Sequence, residues 1–206
     1  MTHYQEITLL DGKTSLFEVW DTLYSKLHIA LVDVKNKHGI EGIGVSFPDY
    51  HYHVKQVEQE DGSTVDKGFG LLGARLRVFG PNQEALDLLD LKSVLGDMNN
   101  ALTVSDIDVV PDVVEHISVH RYQRKSEEKQ AESLAKKLSI TYDEAMATVK
   151  KRESIKGLPF IKMKSHSNQN NFYLKILQKY SDQEVIGDFN TYGLNGMRDN
   201  TTVPHW

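Results

Sequence analysis

Over residues 16–34 the apolar side chains recur at intervals of three and four, and the stretches on both sides of that run alternate at intervals of two. Leu16, Val19, Trp20, Leu23, Leu27, Ala30, Leu31 and Val34 make one stripe of an amphipathic helix. Ser15 stands where its N-cap belongs, and Gly39 and Gly42 close the unit. Before the helix, Tyr4, Ile7 and Leu9 predict a strand over residues 3–10, with Asp11-Gly12 as the turn. After it, Ile43, Val45 and Phe47 predict another, ended by Pro48. Residues 50–68 are polar with Gly and Asp near the tip, which fits a long hairpin loop or two extended edge segments. Leu72, Ala74, Leu76 and Val78 then alternate, and Pro81 opens a second helix through Ala85, Leu88, Leu89 and Leu95. Residues 101–110 supply a last strand. The order β-α-β-β-α-β is the split βαβ pattern, so residues 1–112 are expected to form a ferredoxin-like (RRM-like) domain. That fold serves many unrelated functions, and topology alone names no chemistry.

Pro111-Asp112 is a natural boundary. Residues 113–206 are expected to form a smaller α+β domain with a basic helix and a β-hairpin, making the whole chain α+β. A strand over residues 116–125 leads to Ser126, which can cap a helix with Glu127 and Glu128 in its first turn. Thr141 and Glu144 form a capping box for a further helix reaching about residue 154. Strands over residues 159–165 and 171–178 flank the polar turn SHSNQNN, and a last strand is expected near residues 184–194.

The chain of 206 residues contains no cysteine, which removes disulfides, thiolate metal sites and thiol nucleophiles. Its longest apolar runs fall short of a membrane span, and MTHYQEITLL has no secretory pattern, so a cytoplasmic protein is expected. The net charge of −5 conceals a split. Residues 119–180 carry 14 Lys/Arg against 6 Asp/Glu, a balance of +8, and the remainder carries 10 against 23, a balance of −13. A polyanion is attracted to the first part and repelled by the second. His51 and His53 form an H-x-H pair with Asp49 close by, short of the three or four ligands a metal site needs. No metal and no cofactor are expected.

RNA permits chemistry that needs neither metal nor thiol. Its ribose 2′-OH is a nucleophile beside the phosphate it attacks, and the enzyme has to remove a proton and stabilise developing charge. A histidine suits the proton transfer, hydroxyls can hold the 2′-OH, and a tyrosine can orient the histidine. His28, Ser165, Ser167 and Tyr192 are of these types, but they lie too far apart in sequence for spacing to assemble them. Read by themselves, His28 suits the edge of a buried stripe, the two serines suit a turn, and Tyr192 suits a core.

Several segments taken in order resemble the type I-F CRISPR-associated endoribonuclease family, which cuts repeat-containing precursor RNA. They are THYQEITL, KLHIALV around His28, GIGVSFPD at 42–49, LGARLRV at 72–78, HRYQRKS at 120–126, LPFIKMKSHS at 158–167 and TYGL at 191–194. The resemblance implies that His28 activates the 2′-OH upstream of the scissile phosphate, as base, acid or electrostatic group. It implies that Ser165 holds that hydroxyl, Ser167 supports the site and Tyr192 orients His28. It further implies that Phe172 stacks on the terminal base pair of the repeat hairpin, although Phe172, Leu174 and Ile176 also alternate as one buried face. Arg121 and Gln123 would read bases near the stem bottom, beside Arg124 and Lys125. The implied products are a 2′,3′-cyclic phosphate and a 5′-OH. The implied partners are the repeat stem-loop, which is the 3′ handle of the guide RNA, and other subunits of a type I-F surveillance complex.

One departure concerns grip. The family's best-known members carry an arginine-rich helix, whereas EEKQAESLAKKL has no arginine and offers Lys129, Lys136 and Lys137, with Lys164 further on. Lysine attracts phosphate but lacks arginine's planar fork. Two other readings stand beside this one: a catalytically inactive RNA-hairpin-binding subunit, and a ferredoxin-like small-molecule or protein-interaction domain.

Overall fold

The structure, a computed structural model, describes residues 1–59, 61–112, 114–123, 125–149, 154–165 and 169–206. In chain order the elements are β1 (His3–Leu9), α1 (Leu16–His38), β2 (Gly44–Ser46), β3 (His51–Glu58), β4 (Thr64–Leu71), β5 (Arg75–Gly80), α2 (Gln83–Leu89) and α3 (Leu91–Val94). They continue as β6 (Leu102–Val104), β7 (Asp108–Val109), β8 (Glu115–Tyr122), α4 (Glu127–Leu138), α5 (Tyr142–Thr148), β9 (Phe160–Lys164), β10 (Asn171–Ser181) and β11 (Val203–His205).

The capping chemistry fixes α1 at both ends. The Ser15 hydroxyl accepts from the Glu18 amide while the Glu18 carboxylate accepts from the Ser15 amide, and Gly39 closes the helix in the left-handed conformation. The sheet beneath it runs β2-β5-β1-β6 with β7 also on β1, every pair antiparallel, which is the strand order of a split βαβ unit. A second antiparallel sheet runs β11-β8-β10-β9. Strands β3 and β4 pair only with each other among the described residues, so His51–Glu58 and Thr64–Leu71 form a two-stranded ribbon, the alternative of two extended segments rather than a loop.

The sheets change over near residue 112, yet one apolar cluster contains Ile7 and Val78 from the first and Val119, Ile161 and Leu174 from the second. By compactness the chain therefore divides elsewhere: Met1–Tyr122 with Gly157–Trp206 is one unit, and Gln123–Lys156 is the other. In the smaller unit α4 and α5 pack together, with Ala131 and Ala145 buried. Among the described residues no helix is long and apolar enough to cross a membrane.

Three expectations from the sequence are corrected. The helix after Pro81 starts from the Asn82 cap and breaks at Asp90, whose backbone turns left-handed while its carboxylate caps Ser93. Helix α5 ends at Thr148, not near residue 154. The Thr148 hydroxyl donates to the Ala145 carbonyl at 2.7 Å, and β-branched Val149 turns extended. No strand covers residues 184–194; the last strand is β11, because Asn190 and Gly193 fold that stretch into a turn.

The tail is locked down by Arg77, whose side chain is only 6% exposed. Its Nε donates to Glu6 at 2.7 Å, one Nη donates to the Trp206 carbonyl at 2.9 Å, and the guanidinium lies 3.9 Å from the centre of the Trp206 ring. Arg77→Ala removes the nearer of the two cations at the mostly buried Glu6, leaving only Arg75 at 3.9 Å, and frees the Trp206 carbonyl. Urea denaturation is expected to register a loss of about 3 kcal/mol, and Arg77→Lys should restore only part of it, because the ammonium cannot make the fork.

Candidate active site

Helix α1 buries Tyr24, Leu27 and Leu31 and brings His28 to the edge of that stripe, half-buried. Its Nδ1 lies 2.7 Å from the Thr191 carbonyl oxygen. A carbonyl only accepts, so Nδ1 carries the hydrogen, and Nε2 is the basic nitrogen of the neutral ring. The imidazole also lies flat on Tyr192, with ring centroids 4.0 Å apart and planes 2° from parallel. The hydrogen bond fixes the ring's rotation and the stack fixes its plane.

The turn that supplies both contacts is built by short-range bonds. The Asn190 carboxamide oxygen accepts from the Tyr192 amide at 2.9 Å, the Gly193 amide donates to Asn190 O at 2.8 Å, and the Asn190 amide donates to Leu194 O at 3.0 Å. Gly193 has φ +69°, and a Cβ there would stand 2.8 Å from Val45 Cγ1, so both conformation and space call for glycine. From α1, the buried Tyr24 hydroxyl donates to Tyr192 O at 2.9 Å. Burial, with Tyr192 nearby, pushes the Tyr24 phenol well above its ordinary value and keeps it a donor. Sequence reasoning passed over Tyr24 and Asn190; the Asn-Thr-Tyr-Gly run was the available turn signal.

Beyond the turn, Asn195 bridges in parallel to His120 of β8: its amide donates to Val119 O at 2.8 Å and its carbonyl accepts from Arg121 at 2.9 Å. His120 is buried, with Nδ1 donating to Gly196 O at 3.1 Å and Nε2 accepting from the Ser118 hydroxyl at 3.0 Å. This places Arg121 against the turn, its guanidinium 4.7 Å from the Tyr192 ring centre and 5.4 Å from that of Phe172. Phe172 meets Tyr192 edge-on at 6.5 Å. His28, Tyr192, Arg121 and Phe172, from four separate parts of the chain, thus form one contiguous group.

Ser165 closes the β9–β10 turn, its amide donating to Asn170 O and its carbonyl accepting from Gln169, both at 2.9 Å. Lys164 is exposed on β9. Gln123, Lys125, Lys129, Lys136 and Lys137 belong to the smaller unit and are exposed, Lys125 reaching the Ser133 hydroxyl. Arg124 and Ser167 lie outside the described residues. Near the H-x-H pair, Asp49 is held by Arg75, whose Nε donates to both carboxylate oxygens at 3.1 Å. That guanidinium keeps the carboxyl below its ordinary value.

Residues 4–206 match the family described as CRISPR-associated protein (Cas_Csy4), which comprises the type I-F CRISPR endoribonucleases. The chain belongs to this family. Membership carries CRISPR RNA processing and RNA binding with it. Two solved structures align over nearly the whole chain at low similarity. "CRISPR associated protein Cas6" has 12% identity, a TM-score of 0.38 and 98% of each chain covered. "An RAMP protein binding different RNA substrates" has 12% identity, a TM-score of 0.36 and 99% of each chain covered.

Two outcomes follow from this geometry. Tyr24→Phe removes the donor to the Tyr192 carbonyl and should lower unfolding free energy by about 1–2 kcal/mol in thermal or urea melts. Burial holds the imidazoles of His120 and His205 below the ordinary histidine value. The unfolded chain therefore takes up protons first as pH falls, so their stabilisation is complete above roughly pH 6.5 and is lost below it, toward the lowered folded values. Tm should decline from neutral pH into that window, and the decline should be shallower in His120→Gln.

Proposed function

We propose that this member of the Cas_Csy4 family is a metal-independent endoribonuclease that binds the CRISPR repeat stem-loop and cuts it by attack of a ribose 2′-OH. The arrangement of His28 carries the reading: Nδ1–H on the Thr191 carbonyl, the ring flat on Tyr192, and Nε2 as the basic nitrogen. Nε2 accepts the 2′-OH proton as the O2′–P bond forms. The P–O5′ bond breaks, O5′ takes up a proton, and the products are a 2′,3′-cyclic phosphate and a 5′-OH. Ser165 holds the attacking hydroxyl, Ser167 supports it, and Tyr192 orients His28. Phe172 stacks on the terminal base pair, its ring edge-on to Tyr192 and beneath Arg121.

Arg121 and Gln123 read bases at the stem bottom. Arg124, Lys125, Lys129, Lys136, Lys137 and Lys164 attract the phosphate backbone. In this reading the first sheet with its helices is a ferredoxin-like domain that carries His28, and the rest of the chain grips the hairpin. The protein then keeps its stem-loop product as a subunit of the surveillance complex.

A labelled repeat RNA incubated in EDTA tests the chemistry. Cleavage should proceed, and His28→Ala should slow it by a factor on the order of a hundred or more. A 2′-deoxy nucleotide just upstream of the cut should stop cleavage while leaving binding intact. Cleavage that requires added metal, survives His28→Ala or proceeds without the 2′-OH overturns the mechanism. Binding with no cleavage at all by the unaltered protein marks a binding-only subunit.

A further inference from the structure

The β9–β10 hairpin has two faces of opposite character. Ile161, Met163, Leu174 and Ile176 turn into the core. The other face carries Phe160, Lys162 and Lys164 on β9, opposite Lys175, Tyr173 and Asn171 on β10. All six side chains are exposed, and none is acidic. Two of the three cross-strand pairs, Phe160–Lys175 and Lys162–Tyr173, set a cation beside an aromatic ring, which suits phosphates between stacked bases better than it suits a merely solvated face. Phe160 is 42% and Tyr173 61% exposed, and they meet edge-on at 4.9 Å, which leaves ring faces open to a base.

This face runs into a groove of about 630 Å³ between α1 and β9, lined by Ser25, Lys26, Ile29, Lys162, Lys164 and Ser165. Asp21 also lines it, but its carboxylate accepts from the Lys162 amide at 2.8 Å and so ties β9 to the helix. Lys162 and Lys164, two apart on a strand, are spaced by about 6.7 Å, close to two steps of a stacked nucleic-acid strand at roughly 3.4 Å each.

We propose that the groove and the outer face of the β9–β10 hairpin hold the single-stranded RNA running downstream of the cut. The inference rests on the proposed function, in which Ser165, at one end of the groove, holds the 2′-OH. The strand crossing that point continues along Lys164 and Lys162, and its unpaired bases stack on Tyr173 and Phe160. The hairpin thereby grips the stem through its inner edge and the leaving strand through its outer face.

The test compares uncleavable 2′-deoxy repeat RNAs bound to the full-length protein: the bare stem-loop, the stem-loop with a short 3′ extension, and the stem-loop with an equal 5′ extension. The 3′ extension should tighten binding roughly tenfold, within the range of stacking energies. Phe160→Ala/Tyr173→Ala should lose that gain while binding the bare stem-loop as before. In the unaltered protein, 4-thiouridine just downstream of the cut should crosslink to the β9–β10 peptide, a readout independent of how the variant folds. No gain from the 3′ extension, a gain that survives in the variant, a gain tied to the 5′ extension, or crosslinks elsewhere overturns the inference. A bare stem-loop that binds without a 3′ gain leaves the proposed function standing, whereas a stem-loop that does not bind at all defeats both.

Discussion

The backbone of residues 191–195 is shared by both sheets and by the long helix, and the candidate site depends on that sharing. Gly193 accepts from Val45 of β2, Asn195 exchanges bonds with Val119 and Arg121 of β8, and Tyr24 and His28 of α1 reach the carbonyls of Tyr192 and Thr191. A buried stretch without regular structure needs a partner for each backbone group. Here α1, β2 and β8 supply those partners, and in doing so they bring together His28, Tyr192 and Arg121. A second tie lies nearby: the Gln178 carboxamide bonds both backbone groups of Phe47, joining β10 to the end of β2.

Much of the frame was legible in the sequence because it rests on local chemistry. The N-cap at Ser15, the capping box at Thr141, the apolar stripe of α1 and the alternation in β1, β5, β9 and β10 each require only neighbouring residues. What was not legible depends on contacts between distant parts. The stretch of residues 184–194 has apolar positions at strand-like spacing, but the side chain of Asn190 and the left-handed Gly193 outweigh that weak pattern. The break at Asp90 is of the same kind, a side chain capping backbone within an otherwise helical run. Membership of the Cas_Csy4 family could be read from motif order, while the stack of His28 on Tyr192 could not be read from spacing.

The charge split acquires a physical shape in these elements. The lysines of α4 are exposed on a helix whose first turn is acidic, so its positive end is the C-terminal one, where Lys136 and Lys137 complement the helix dipole. In the proposed reading, stability and phosphate attraction are served by the same residues there. The lysines of β9 and β10 sit instead on a hairpin whose inner side is core, with Lys162, Lys164 and Lys175 on its outer side.

Tyr24 and His28 stand one turn apart on a helix of 23 residues that is capped at both ends. Neither end can fray far enough to release them, and sliding the helix would break both grips on the 191–192 backbone together. The histidine is thus preset when the chain folds, and in the proposed reading ordering it adds no entropic cost when RNA arrives. The same rigidity ties the site's fate to that of the whole core. Heating should not loosen this region ahead of the rest, so inactivation and melting would be a single event.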